Sequence, residues 1–437
     1  MRDPELDMHV IKPSVRGQSL DPQGVETVSP LRHVQSAAHG DAEGPVRSLY
    51  VHIPFCSHKC HYCDFYSIVD TQDRQEAFVT RLMAELSALA PLAKGSPLRT
   101  IFVGGGTPSL LRVDLWTRLL TSLSEQFDLS EIQLQAPETE FTVECNPESV
   151  TPELFDRLVA GGVTRVSMGA QSFHEDTLKR LERLHTPGAV SEAIEAARAA
   201  GIGHRSVDLI YAVPGQTTPM WRNDLETALS LPIDHVSAYN LTYEPNTAMT
   251  ARLARAEFTP TAEEIEIEMF ELARDLTTAA GFERYEVSNY ARVGAASRHN
   301  LAYWRQDQWL AAGPSASGHA AGYRWKNTPR LDSYLGFSDE GLSMVHDVET
   351  PDARRALAER LMTGMRLAEG VEADRARADA DAICPGLSDE LDRVAAEHAA
   401  SGRLTERRDG TASRWVLTDS GVLFADGVAS DFIAAVL

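Results

Sequence analysis

The sequence predicts an α/β protein: an incomplete, TIM-like (β/α) barrel of six units, followed by a mostly helical domain with a winged-helix outline. From residue 48 onward, short runs rich in apolar and β-branched residues alternate with longer segments of helical period, which is typical of a parallel sheet. Six such units fall short of the eight that close a complete barrel, so we expect an open side. After about residue 350 the pattern changes to helices rich in Ala, Arg, Glu and Asp.

The barrel elements follow from their local patterns. Phe78, Leu82, Met83 and Leu86 recur at helical spacing and predict a helix over Gln75–Leu89. A second helix is expected over Thr151–Ala160, because Thr-Pro-Glu is a typical helix start. Right-handed crossovers of this kind connect parallel strands. The six strands are expected at 48–53, 100–103, 139–144, 164–168, 205–211 and 235–241.

We expect the barrel to span residues 48–285, with three further regions outside it. Residues 1–47 are rich in Pro, Gly, Ser and His and predict a flexible extension. Residues 286–350 are expected to form a connecting region, and residues 351–437 the C-terminal domain. In that domain we expect a helix over Asp352–Leu367 and a hairpin over Arg403–Thr418 that turns at Asp409-Gly410.

Composition restricts the possible partners. The chain has 41 Lys and Arg residues against 63 Asp and Glu, a net charge of −22. Such a chain repels phosphate backbones at long range, so nucleic acid is not an expected partner. The winged-helix outline therefore favours packing against the barrel over DNA binding. No apolar run reaches the roughly 18 residues of a membrane-spanning helix.

Cysteine usage indicates a reducing compartment. Of five cysteines, Cys145 and Cys384 are isolated and the other three are clustered, which does not resemble a disulfide framework. We therefore expect the protein in the cytoplasm.

The clustered cysteines, Cys56, Cys60 and Cys63, form a C-x3-C-x2-C run just after the first predicted strand. Thiolate sulfur is a good ligand for iron, and a 4Fe-4S cluster needs four ligands. Three cysteines would leave one iron open to an exogenous molecule. His58 and His61 lie inside the run, however, so a zinc site with mixed Cys and His ligands is the alternative.

The other polar residues of interest follow the ends of predicted strands, where ligands of parallel α/β sheets bind. Gly104-Gly105-Gly106-Thr107-Pro108 follows the second strand, and its glycines would allow a ligand to approach the backbone or would simply form a tight turn. Glu144 ends the third strand, Gln171 follows the fourth, and Asp208 lies on the fifth, while Arg183 comes from the segment after Gln171.

The cysteine run and the Gly104–Pro108 loop together resemble the signature of the radical S-adenosylmethionine (SAM) superfamily. The resemblance implies that Cys56, Cys60 and Cys63 bind a 4Fe-4S cluster whose open iron chelates the amino and carboxylate groups of SAM. In that superfamily, one electron delivered to the sulfonium cleaves a carbon–sulfur bond and yields methionine and a 5′-deoxyadenosyl radical.

The same resemblance implies a cradle for SAM. The glycine loop would hold the methionine ammonium, Arg183 would face the carboxylate, and Asp208 would accept from the ribose hydroxyls. Taken singly, each residue also has a structural alternative, such as a helix cap or a surface ion pair. The implied SAM-binding residues are Tyr50, Tyr62, Gly105, Gly106, Thr107, Glu144, Gln171, Arg183 and Asp208.

Within the superfamily, the chain is similar to the group that contains oxygen-independent coproporphyrinogen III dehydrogenase and a related haem chaperone. The dehydrogenase has a further cysteine two residues beyond its third, where this chain has Phe65. The run His299-Asn300-Leu301-Ala302-Tyr303-Trp304 matches the H-N-x-x-Y-W motif that is associated with haem binding in the chaperone branch. Both features favour the chaperone, with dehydrogenase activity as the enzymatic alternative.

The chaperone assignment implies a haem site and specific partners. His299 would ligate haem iron, and Tyr303 and Trp304 would present aromatic area to the porphyrin, with Asn300 completing the site. The implied partners are haem, an acceptor haemoprotein and an electron donor for the cluster. The alternatives are a structural loop in which His299 caps a carbonyl, radical decarboxylation of coproporphyrinogen III propionates to vinyl groups, and a zinc-stabilised interaction protein.

Overall fold

The computed structural model describes Leu31, Arg32, Val34, residues 45–410 and residues 412–437. The flexible extension expected over 1–47 lies almost entirely outside these residues. The described chain divides into two compact units. The first unit runs to Pro351 and includes Leu367–Glu369. The second unit consists of Asp352–Arg366 and Gly370–Leu437.

The described residues of the first unit form one large sheet of twelve strands, in which β1 to β6 are parallel and adjacent in chain order. All six predicted strands are present, with ends that differ by a few residues at most, so the expected partial barrel is confirmed. The strands are β1 Ser48–Ile53, β2 Thr100–Gly105, β3 Glu140–Cys145, β4 Arg165–Gln171, β5 His204–Tyr211 and β6 His235–Asn240.

Helices connect these parallel strands. The predicted helix Gln75–Leu89 is observed with those bounds, and Pro152–Ala160 begins after Thr151, whose side chain accepts a hydrogen bond from the Leu154 amide at 3.1 Å. The other helices between β1 and β7 are Val113–Gln126, Ser130–Gln133, Glu175–Arg180, Pro187–Ala199, Thr218–Ser230, Ala248–Ala254 and Glu263–Ala279.

The segment 286–350, expected as a connecting region, contributes strands to both edges of the same sheet. At one edge β8 pairs antiparallel with β6 and β7. At the other, β9 runs parallel to β1 and is followed outward by β10, β11 and β12. The strands are β7 Glu283–Glu286, β8 Asn289–Ala291, β9 Trp309–Ala312, β10 Ser317–Ala320, β11 Tyr323–Asn327 and β12 Val345–Glu349, with helices Arg298–Trp304 and Leu331–Gly336 between them.

Side chains of β1 alternate between two environments. Leu49, Val51 and Ile53 are fully buried on one face. Tyr50 and His52 lie on the opposite face, which lines the barrel interior. This alternation directs the aromatic and polar residues of the strands inward, towards a common space.

The described residues of the second unit form four α-helices and a three-stranded antiparallel sheet of order β13-β15-β14. The predicted hairpin is formed by β14 Leu404–Asp409 and β15 Ala412–Leu417, and β13 spans Val371–Glu372. The helix predicted over Asp352–Leu367 is shorter, because Asp352 caps its start by accepting from the Arg355 amide at 2.8 Å and the helix ends at Gly364. The helices are Ala353–Gly364, Ala373–Ile383, Leu387–Ala400 and Ala425–Val436.

Within the part of the chain that the structure describes, no helix is both long enough and apolar enough to cross a membrane.

Candidate functional site

The cysteine loop leaves the carboxyl end of β1 and returns to it. Two backbone hydrogen bonds close its neck, from the Cys56 amide to the Ile68 carbonyl and from the Ile68 amide to the Pro54 carbonyl, both at 2.8 Å. Cys56, Cys60 and Cys63 are half-buried free thiols. The loop therefore holds all three sulfurs at the barrel mouth, where β1 ends.

The glycine loop lies directly against the cysteine loop. The Gly106 amide donates to the Ile53 carbonyl at 2.8 Å, and the Thr107 hydroxyl lies 3.5 Å from the Cys56 sulfur. A Cβ atom on Gly106 would lie 2.7 Å from the Phe55 carbonyl oxygen, and one on Gly105, whose φ is +111°, would lie 2.4 Å from the His52 ring. These glycines thus allow close contact between two segments of the protein itself.

The histidines of the cysteine loop face a carboxylate. His58 Nε2 lies 3.0 Å from one oxygen of Glu182, and His61 Nδ1 lies 2.9 Å from the other, although out of hydrogen-bond alignment. This pairing ties the loop to the segment after helix Glu175–Arg180.

The three thiols suit a multi-iron cluster. Burial raises the pKa of Cys60 and of Cys63, and the neighbouring cysteines raise it further, because the sulfurs are close enough for their charges to interact. Among the described residues, no three His, Cys, Asp or Glu side chains converge as ligands of a single ion. A 4Fe-4S cluster requires a different arrangement, because each thiolate binds a different iron atom of the cluster. Three soft sulfur donors in one loop are the donor set that such a cluster takes.

Arg183 reaches the same place from the segment after β4. Its guanidinium donates to the Asn146 side chain and to the Gly169 carbonyl, both at 2.8 Å, and lies 4.0 Å from the Cys60 sulfur. Its Nε is buried and has no hydrogen-bond partner. A buried cation with one free donor beside the cysteines is suited to bind a carboxylate.

Gln171 lies at the end of β4, at a β-bulge. Its backbone has a φ of +64°, a conformation that costs energy for a residue with a side chain. The side-chain amide nitrogen of Gln171 lies close to Gly169. A Cβ atom built on Gly169 would lie 3.1 Å from that nitrogen and 3.4 Å from the Arg183 guanidinium. Tyr62, from the cysteine loop, packs against an apolar cluster that includes Leu181 and Ile210.

Two half-buried carboxylates lie on β3 and β5, the strands on either side of β4. Burial raises the pKa of Glu144 to about 7, although the Gly105 amide donates to it at 3.0 Å. Asp208 accepts from the hydroxyls of Ser167 and Ser237, and its pKa is also raised by burial. The charges of Glu144 and Asp208 interact, and that of Asp208 interacts with Arg183. Asp208 thus lies within electrostatic range of both Glu144 and Arg183, three of the residues predicted to bind SAM.

The H-N-x-x-Y-W run forms the helix Arg298–Trp304, which packs against β2. His299 is fully buried, and its ring stacks on Phe102 at 5.3 Å and meets Tyr303 edge-on at 4.6 Å. Its Nδ1 lies 2.9 Å from the Thr100 hydroxyl oxygen, whereas its Nε2 is buried without a hydrogen-bond partner.

These residues share one cavity with part of the predicted SAM site. A cavity of about 780 Å³ is lined by His299, Asn300 and Tyr303 and also by Tyr50 and Glu144. Trp304 does not line it, nor do Tyr62, Gln171, Arg183 and Asp208. The structure therefore brings the two predicted sites into contact, and burial together with the nearby Glu144 carboxylate raises the pKa of both Tyr50 and Tyr303.

Several lining residues did not emerge from the sequence motifs. Phe102 stacks between Tyr50 and His299, and Trp309 meets Tyr303 at 4.6 Å. His52 bridges the Tyr50 hydroxyl at 3.0 Å and the Tyr66 carbonyl at 2.8 Å. Strand alternation could have indicated Phe102 and His52, because both lie at inward-facing positions of predicted strands.

The comparisons with known proteins agree with these features. Residues 50–228 match the family model of the radical SAM superfamily. The chain is 36% identical over 324 residues to the haem chaperone HemW of Lactococcus lactis, covering 74% of this chain and 82% of that protein. It is 34% identical over 395 residues to the haem chaperone HemW of Escherichia coli, covering 89% and 99%.

A solved structure resembles the fold over most of the chain. The coproporphyrinogen III oxidase HemN of Escherichia coli, a radical SAM enzyme, superposes with a TM-score of 0.76, covering 92% of this chain and 93% of that one, at 21% identity. At this identity the likeness shows the fold alone.

Proposed function

Because the chain belongs to the HemW family of haem chaperones within the radical SAM superfamily, we propose that it binds haem and transfers it to an acceptor haemoprotein. The observation that carries the proposal is the buried, unpartnered Nε2 of His299 at an aromatic-walled cavity. A buried nitrogen without a partner costs free energy unless a ligand binds it.

The surroundings of His299 select the tautomer that can ligate iron. The Thr100 hydroxyl donates its proton to Ser48 at 2.9 Å, so it accepts the Nδ1 proton of His299. The lone pair is then on Nε2, the nitrogen that has no hydrogen-bond partner in the protein. Burial lowers the pKa of His299 to about 4, which keeps the ring neutral near pH 7. Phe102, Tyr303 and Trp309 supply aromatic area for a porphyrin.

We further propose that Cys56, Cys60 and Cys63 bind a 4Fe-4S cluster and that the neighbouring polar residues bind SAM. When bound, this pair supplies one-electron reductive chemistry. The Arg183 guanidinium would bind the methionine carboxylate, and Glu144 and Asp208 would accept hydrogen bonds from SAM. Tyr50, Tyr62, Gly105, Gly106, Thr107 and Gln171 would complete the cradle, and Asn300 and Trp304 the haem site.

The proposed partners are an acceptor haemoprotein and an electron donor for the cluster. All five cysteines are free thiols, which suits a reducing compartment, so we place the protein in the cytoplasm.

Haem titration of the wild type and of His299→Ala tests the haem site. Loss of an axial ligand should weaken binding by at least about tenfold, given what metal sites lose when their shell is altered. His204→Ala is the matched control, because it removes a part-exposed imidazole at the start of β5, outside the cavity. Equal haem affinity in wild type and His299→Ala would contradict the assignment, provided that thermal unfolding shows both to be folded.

An anaerobic assay with coproporphyrinogen III, SAM and a reductant separates a carrier from a catalyst. Phe65 occupies the position of the dehydrogenase's additional cysteine, and its side chain is 65% exposed. We expect no decarboxylation. Formation of protoporphyrinogen would establish the dehydrogenase instead.

Metal analysis of the anaerobically purified protein tests the zinc alternative. Stoichiometric zinc without inorganic sulfide would establish it.

A further inference from the structure

Two lysines line the cavity that contains His299. The whole chain has five lysines, and Lys59 and Lys326 both border this one space. One comes from the cysteine loop and the other from β11, which are far apart in sequence. The barrel therefore brings two cations from distant segments of an acidic chain to one opening.

Lys326 is available to bind an anion. It lies opposite Ser317 in the β10–β11 register, and Ser315 and Ser317 also line the cavity. Its ammonium makes no hydrogen bond or ion pair with any described residue. One ammonium and two hydroxyl groups that line the same cavity are a suitable donor set for a carboxylate.

Lys59 lies at the loop side of the same cavity. Its ammonium donates to the Phe65 carbonyl at 2.5 Å and to the Ser67 hydroxyl at 2.9 Å, which leaves one of its three protons for a ligand. No carboxylate of the described residues forms an ion pair with it.

The two ammonium groups act on the same neighbour. The pKa of His52 is lowered to about 4, mainly by burial and further by the positive charges of Lys326 and Lys59. Two acidic residues, Asp64 and Glu144, also line the cavity, and neither forms an ion pair with these lysines. Glu144 instead accepts from the Gly105 amide.

We propose that Lys59 and Lys326 form a carboxylate-binding site that takes the propionate side chains of the tetrapyrrole cargo, an assignment that rests on the proposed haem-chaperone function. The aromatic side chains contact the apolar ring and His299 contacts the iron, so the propionates are the groups that need cations. The lysines thereby set the orientation of the ring, with its anionic edge towards the cysteine loop and β11.

Comparing iron protoporphyrin IX with its dimethyl ester, in the same detergent buffer, tests the site. The ester keeps the ring and the iron but has no carboxylate charge. Wild type should bind the free acid about tenfold more tightly, because hydrogen bonds to charged groups are stronger than those to neutral groups, although the exposed part of the site is screened. Lys326→Met should lower this preference at least about threefold, and Lys326→Arg should retain it.

Lys94→Met is the matched control, since it removes an exposed lysine outside the cavity and should leave the preference unchanged. Lys59→Met is measured alongside iron and sulfide content, because Lys59 adjoins Cys60. Wild type that binds both porphyrins equally, or an unchanged preference in both Lys326→Met and Lys59→Met, overturns the carboxylate site alone. Wild type that binds neither porphyrin overturns the haem function and the site with it. A loss of SAM affinity in the lysine variants, without a change in the acid-to-ester preference, also overturns the carboxylate site, because the lysines would then bind the cofactor.

Discussion

Glu140 and Glu144 lie on the same face of strand β3, four residues apart, and their carboxylates have opposite electrostatic environments. Burial disfavours the charge of Glu140, but Arg165 at 2.8 Å and the amides of Arg298 and His299 lower its pKa to about 2. Glu144 has no such cation, and burial raises its pKa to about 7. The charge of Glu140 is therefore balanced by partners within the protein, whereas Glu144 has no cation beside it and is suited to bind a ligand.

Glu140 anchors the helix that carries His299. Its carboxylate accepts from the Ser297 hydroxyl at 3.0 Å, the Arg298 amide at 3.0 Å and the His299 amide at 3.3 Å. Removing this charge leaves Arg165 buried and unpaired. We therefore expect Glu140→Gln to lower the free energy of unfolding by about 3 kcal/mol and to weaken haem binding through displacement of His299.

The pH dependence of that loss can be measured. Because the folded pKa of about 2 is below the ordinary 4.5, the contribution of Glu140 is present above pH 4.5 and is lost as pH falls towards 2. Urea unfolding between pH 7 and pH 2.5 should show a steeper loss in wild type than in Glu140→Gln. Glu138→Gln, which removes an exposed partner of Arg298, is the control. Parallel profiles for wild type and Glu140→Gln would contradict the expectation.

Glu144→Gln should have the opposite effect on stability. The folded pKa of about 7 is above 4.5, so this group favours the folded state below pH 4.5 and that contribution is lost as pH rises through 7. At pH 8 we expect the ligand-free variant to be more stable than wild type, by up to about 3 kcal/mol. The same variant should bind SAM more weakly, which isothermal titration of reconstituted protein can measure. Equal stability of the two proteins at pH 8 would be inconsistent with a buried, unpaired charge.

Gly105→Ala should disrupt the contact between the glycine loop and β1. At a φ of +111°, any side chain is strained by about 1–2 kcal/mol, and here the new Cβ would also collide with the His52 ring. Gly162→Ala is a close match, because Gly162 has a φ of +92° and open space around it. Thermal unfolding should therefore show a larger loss for Gly105→Ala, by about 1–3 kcal/mol for the collision. Equal losses would mean that the His52 ring moves aside without cost.

Cys60→Ser should abolish cluster assembly after anaerobic reconstitution, as measured by iron, inorganic sulfide and visible absorbance. Serine oxygen is a poor replacement for a soft thiolate ligand. Cys384→Ser is the control, since that thiol is exposed and lies in the other unit. A full complement of sulfide in Cys60→Ser would remove this residue from the ligand set.

Much of the fold could be predicted from local patterns. The six parallel strands and the helix Gln75–Leu89 follow from alternation and helical period, which are properties of short segments. The role of residues 286–350 could not be predicted in this way, because β9 pairs with β1 across more than half of the chain. Strand pairing over such distances is decided by the packing of the whole sheet and leaves no local signal.

Residue identity already specifies the chemistry available to this protein: three thiolates in one short run, a glycine loop at a strand end and a histidine in an aromatic motif. That His299, Glu144, Tyr50 and Lys326 line one cavity depends on how the chain folds. The identity of a side chain fixes what it can bind, whereas closure of the barrel brings distant strands, and the groups they carry, within reach of the same ligand.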